Sequence, residues 1–75
     1  MTMSIIDNRR DRQIASAKIS AMKDSIRGLQ AHIDMIFRAR PLPPVNTAKA
    51  LAEIDYHLTA ALIELDYAQE RVNRL

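Results

Sequence analysis

The side chains Ala15, Ile19, Met22, Ile26, Leu29, Ile33 and Ile36 recur at alternating spacings of four and three. An α-helix returns to the same face every 3.6 residues, so this run predicts one long helix with a heptad seam. Leu51, Ile54, Leu58, Ala61, Leu65, Ala68, Val72 and Leu75 repeat the pattern, with small residues at two places where a neighbouring helix could come close. Between the runs lies Pro41-Leu42-Pro43-Pro44. Proline lacks an N–H and drives the preceding residue towards extended geometry, so the first helix must stop before it. The pattern places helix 1 at about 9–39, a proline-rich turn at 41–45 and helix 2 at about 47–74. Asn46 or Thr47 is the expected N-cap of helix 2, with Val45 folding back on its first turn, and Ser4 or Asn8 is the candidate cap of helix 1.

A connection this short makes successive helices antiparallel neighbours. Counting outward from the hinge sets Ile36 beside Leu51, Ile26 near Ala61 and Ala15 near Val72, so residues before about Arg12 project beyond the end of helix 2. The expected fold is all-α, a single domain over 1–75, an antiparallel two-helix hairpin. Each helix carries a further apolar line. On helix 2 it is Tyr56, Ala60, Ile63 and Tyr67, and on helix 1 the smaller set Ile14, Ala17, Ala21, Gly28, Ala31 and Met35. A hairpin covers one stripe per helix, and each large side chain left in water forgoes roughly 1.5–3 kcal/mol. The expectation is therefore a homo-oligomer, a dimer or larger, in which hairpins form a helical bundle such as a four-helix bundle, with Tyr56, Ala60, Ile63 and Tyr67 as the oligomer interface.

Size strengthens that expectation. A chain of 75 residues is near the limit at which a single core offsets chain entropy, and such domains lean on disulfides, metals or association. There is no cysteine, so disulfides and thiolate metal sites are excluded and association remains. One glycine and three aromatic residues agree with a helical composition. No apolar run approaches a membrane span, and Met1-Thr2-Met3-Ser4-Ile5-Ile6 does not read as a signal peptide, so the expected location is cytoplasmic, without a membrane partner.

The net charge of +2 is unevenly spread, with eight Lys/Arg against four Asp/Glu in residues 1–40 and three against five in 41–75. Arg9, Arg10 and Arg12 near the start of helix 1 oppose its dipole, and antiparallel pairing brings Arg71 and Arg74 to the same end. This cluster is either a solvated helix end or an anion site for nucleotide or nucleic-acid phosphate, since guanidinium forks grip phosphate in two places. Lys23 and Arg27, with Ser16, Ser20 and Gln30 nearby, form a thinner basic strip without interleaved aromatics. Glu53 and His57 are one turn apart, which fits an ordinary i, i+4 pair better than the Glu-x-x-His arrangement of di-iron bundles, so no metal or other cofactor is expected. No nucleophile and base can be paired and no glycine-rich loop exists, which argues against an enzyme.

The run Ala52-Glu53-Ile54-Asp55-Tyr56-His57-Leu58-Thr59-Ala60-Ala61-Leu62-Ile63 resembles the histidine-leucine helix of the phage anti-CBASS cyclic-oligonucleotide sponges, and Arg12-Gln13-Ile14 resembles their N-terminal basic segment. The resemblance covers about a third of the chain. It implies a small helical oligomer that sequesters a host signalling nucleotide in pockets between subunits, with Arg12 and His57 at ligand-binding positions. The chain departs from that family in having one continuous first helix where two would stand.

The leading expectation is a non-enzymatic oligomeric interaction protein of bacterial or phage type that binds or blocks a partner, such as a host protein. The alternatives are a counter-defence sponge for a nucleotide second messenger, held by Arg9, Arg10, Arg12, His57, Arg71 and Arg74, and a small RNA- or DNA-binding hairpin of the kind seen in plasmid RNA-binding dimers.

Overall fold

A computed structural model describes residues 5–75, with side chains described from Arg9 onward. It contains two helices, α1 over Ile5–Arg38 and α2 over Val45–Asn73, packed against each other as an antiparallel hairpin. The molecule is a rod, 62 × 16 × 15 Å. Helix α1 starts about four residues before the expected position, so Asn8 lies inside it and does not cap it, while Ser4 lies outside the described residues. Helix α2 also starts early. Its N-cap is Pro44, with φ −57° and ψ 155°, so neither Asn46 nor Thr47 has the capping role. Proline suits this place because the carbonyl, not the missing N–H, enters the helix, and Pro44 O accepts from Ala48 N at 2.8 Å. Val45 is 70% exposed and does not fold back on the first turn.

The register agrees with counting outward from the hinge. Arg12 reaches Leu75, Ser16 meets Gln69, Lys23 meets Asp66 and Gln30 meets Thr59, each within two residues of the expected partner. Residues 5–11 of α1 extend beyond the last turn of α2.

The seam is rotated from the one that apolar residues alone define. On α1 Ile19, Lys23, Ile26, Gln30, Ile33 and Phe37 are buried or half-buried, together with Ala15 and Ile36 of the expected seam, whereas Met22 and Leu29 are 53% and 46% exposed. On α2 Leu51, Asp55, Leu58, Leu62, Leu65, Gln69 and Val72 are half-buried, while Ile54 and Leu75 are 45% and 72% exposed. The rotation is a fraction of a turn and has a physical cause. Lysine and glutamine lay apolar stems across the seam and keep polar heads at its rim, where those heads bond to the other helix.

Two helices cannot enclose a core. Among the described residues only Ile33 is buried, at 4% exposure, while eleven large apolar side chains are exposed. The accessible surface is 6141 Å², against roughly 4,700 Å² for a compact folded chain of this mass.

Candidate functional site

Three surfaces carry the residues singled out in the sequence. The first is the end where α1 begins and α2 finishes. Arg12 donates from Nη1 to the carbonyl oxygen of Leu75 at 3.0 Å. Leu75 lies two residues beyond the end of α2 at Asn73, so Arg12 ties α1 to the segment just past α2 and sits near the negative end of that helix's dipole. Its position in α1 matters less, because α1 begins at Ile5 and Arg12 is about two turns inside it. Arg74 pairs with Glu70 Oε1 at 3.4 Å, and its backbone N–H bonds to Arg71 O at 3.2 Å.

The arginines share an end of the rod but do not converge. Successive helical residues diverge by about 100°, so Arg9 and Arg10 leave α1 on different sides, and both are exposed. Arg71 and Arg74 line an open depression with Tyr67 and Glu70 on the side of α2 away from α1. The arrangement is a positive collar around the rod. Among the described residues no ion pair involves Arg9, Arg10 or Arg71. His57 is elsewhere. It is exposed in mid-α2, its ring edge-on to Tyr56 with centroids 5.5 Å apart. Eighteen residues of helix, about 27 Å, separate it from Leu75. Within one chain, then, His57 and Arg12 cannot touch the same small ligand.

The second surface is the rim of the seam that holds Lys23. Lys23 pairs with Asp66, Gln30 Nε2 donates to Thr59 Oγ1 at 3.0 Å, and Gln69 Nε2 donates to Ser16 Oγ at 2.7 Å. Thr59 in turn donates to Asp55 O at 3.1 Å, and Arg27 pairs with Asp24 at 3.6 Å. Of the strip that reads as a basic polar face, Ser16, Lys23 and Gln30 are thus spent on binding α1 to α2, while Arg27 pairs within α1. Sequence reading missed this ladder, although the seven-residue spacing of Ser16, Lys23 and Gln30 is a signal that could have found it.

The third surface is apolar and has two parts. Tyr56, Ile63 and Tyr67 are 71%, 50% and 60% exposed, and with Ala60 they run along the back of α2. Met22, Leu29 and Ile54 occupy the edge opposite the polar ladder, with Ala61 and Ala68 half-buried between them. Glu53 is exposed beside His57, and among the described residues no three His, Asp or Glu side chains come together as a metal site would need. No described helix is long and apolar enough to cross a membrane.

The chain matches no protein-family model, and neither the curated proteins nor the solved structures contain a match to it.

Proposed function

We propose that this chain is a non-enzymatic hairpin of bacterial or phage type that assembles with copies of itself and, once assembled, binds or blocks a partner macromolecule in the cytoplasm. The observation that carries this reading is the mismatch between one buried apolar residue and eleven large exposed ones. The surface in excess of a compact chain is about 1,400 Å², more than the roughly 800 Å² that each partner buries in a standard interface. Single exposed apolar residues are ordinary, but Tyr56, Ile63 and Tyr67 in one row and Met22, Leu29 and Ile54 on one edge are clusters of the kind an interaction protein keeps. Tyr56, Ala60, Ile63 and Tyr67 supply rigid contact area, since aromatic rings bury much surface at little entropic cost. Sedimentation equilibrium at micromolar concentration tests the reading. A mass of two or more chains is expected, and a monomer throughout would defeat it.

A second reading is favoured by the arginine collar. Arg9, Arg10, Arg12, Arg71 and Arg74 are gathered at one end of the rod, and such a concentration of guanidinium groups suits phosphate. In this reading an oligomer sequesters a nucleotide, as the resemblance to the anti-CBASS sponges implies, with Tyr67 available to stack on a base. His57 would have to come from another copy. Calorimetry against cyclic and linear oligonucleotides, with absorbance at 260 nm of the purified protein, tests it, and absence of heat with every phosphate ligand would end it. Binding of RNA or DNA is the weaker variant, because Lys23 and Arg27 are engaged within the hairpin.

A further inference from the structure

A hairpin that assembles with copies of itself needs a surface for the contact, and the open edge competes with the tyrosine row for that part. On the edge away from the polar ladder, Met22 and Leu29 follow one another by seven residues on α1, as do Ile54, Ala61 and Ala68 on α2. Each row flanks the seam, so both line one shallow trough that α1 and α2 leave open. We propose that this trough is the homodimer interface, that a second copy fills it face to face, and that the twofold axis crosses the rod at right angles near Ala61. The two hinges then lie at opposite ends of a four-helix bundle. This rests on the reading of the chain as a self-assembling hairpin, and it moves the self-contact from the tyrosine row to the open edge.

Charge selects that symmetry. Two hairpins stacked by their open edges can be related by a twofold in two ways. If the axis runs along the rod, α1 packs on α2 of the second copy and every residue keeps its height. The register that joins Arg12 to Leu75 then places Lys18 within about half a turn of Arg71 of the second copy, and His32 close to His57 of the second copy. Lys18 and Arg71 of the second copy then repel each other. If the axis crosses the rod, α2 packs antiparallel on α2 of the second copy, and its outer rim becomes self-complementary. With the axis at Ala61, Glu53 comes within about half a turn of Arg71 of the second copy, and His57 within about one residue of Glu64 of the second copy, each contact occurring twice. Between them lies Ala61, small enough for the two α2 helices to approach closely. All four rim residues are exposed in the single chain, and none of the ion pairs among the described residues uses them.

The tyrosine row stays uncovered in such a dimer, on the outside of α2, where it remains open to a different partner.

The chain has no cysteine, so a cysteine variant reports the contact without background. Ala61→Cys should form a disulfide-linked dimer under mild oxidation at micromolar protein, and Tyr67→Cys and Lys18→Cys should not. Glu53→Arg should weaken dimerisation at least tenfold, and adding Arg71→Glu should restore most of the loss, as measured by native mass spectrometry across a dilution series. A dimeric mass combined with cross-linking at Tyr67 and not at Ala61 would overturn this geometry while leaving the proposed function standing. A monomeric mass would remove both. Failure of the double charge reversal to recover, with Ala61→Cys still cross-linking, would overturn the pairing of Glu53 with Arg71.

Discussion

The two edges of the hairpin are built by the same pair of helices and share one central line of Ile19, Ile26 and Ile33 against Leu51, Leu58 and Leu65. One edge is closed by side chains that reach across, Ser16 to Gln69, Lys23 to Asp66 and Gln30 to Thr59. The other presents Met22, Leu29 and Ile54 to water at 45–53% exposure. A polar side chain at the rim finds its partner within the chain and is then satisfied. An apolar one at the same height gains nothing until more surface covers it. The closed edge therefore fixes register in the single chain, and the open edge leaves apolar surface in water.

The largest expected effect falls on the line that both edges share. Ile33 is the one buried apolar residue among those described, and truncating such a residue costs about 2–5 kcal/mol through lost burial and the cavity left behind. For a two-helix chain that is a large share of its stability, so Ile33→Ala should abolish cooperative thermal unfolding followed by circular dichroism. A loss under about 1 kcal/mol would mean that the shared line is not what holds the edges together.

Next comes the open edge alone. Leu29→Asp removes an apolar side chain that is 46% exposed in the single hairpin and places a charge where a second copy would exclude water. Burial of a leucine is worth roughly 1.5–3 kcal/mol, and each dimer contains the site twice, so the dissociation constant should rise by more than tenfold while helicity at high concentration is retained. An unchanged dissociation constant would make the open edge an ordinary solvated surface.

A third substitution sharpens the comparison by touching neither edge. Gly28 lies on the outer side of α1, and a Cβ there would meet nothing within 4 Å. Alanine is favoured over glycine inside a helix by roughly 0.5–1 kcal/mol. Gly28→Ala should raise the unfolding free energy by that amount with no change in mass, and a change in mass would reveal a contact on the back of α1.

The hairpin, its hinge and its register were legible in the sequence because prolines and heptad spacing are backbone constraints that water enforces directly. Which residues flank the seam was not. Counting apolar residues selects Met22 and Leu29, whereas the fold turns Lys23 and Gln30 towards α2, a choice between neighbouring rows that hydrophobicity cannot make when the competing side chains have long apolar stems. The helix starts were equally hidden, since α2 is capped by Pro44 with no side-chain hydrogen bond, while the usual signal residues Asn46 and Thr47 lie inside its first turn. For the candidate sites, the sequence showed that Arg12, Arg71 and Arg74 share an end, but not that Arg12 is committed to Leu75, just past the end of α2. That commitment depends on α1 outrunning α2, a relation between two helices that neither contains alone.

The smallest expected effect tests whether the closed edge specifies register more than it stabilises. Lys23 and Asp66 have side-chain exposures of 20% and 62%, so water screens one partner well, and pairs of this kind contribute about 0.2–1 kcal/mol. A double-mutant cycle with Lys23→Met and Asp66→Asn isolates the coupling, because each single change removes the pair and the double change corrects for what each residue does otherwise. A coupling of about 0.5 kcal/mol in chemical denaturation is expected. Lys23→Met alone should cost little, since methionine keeps the stem that crosses the seam, yet it turns part of the closed edge apolar. If the polar ladder is what keeps that edge from associating, Lys23→Met combined with Gln30→Leu should yield species heavier than the dimer in sedimentation, with the hairpin no less stable. Unchanged mass in that variant would show that the difference between the edges lies in their packing geometry and not in their polarity.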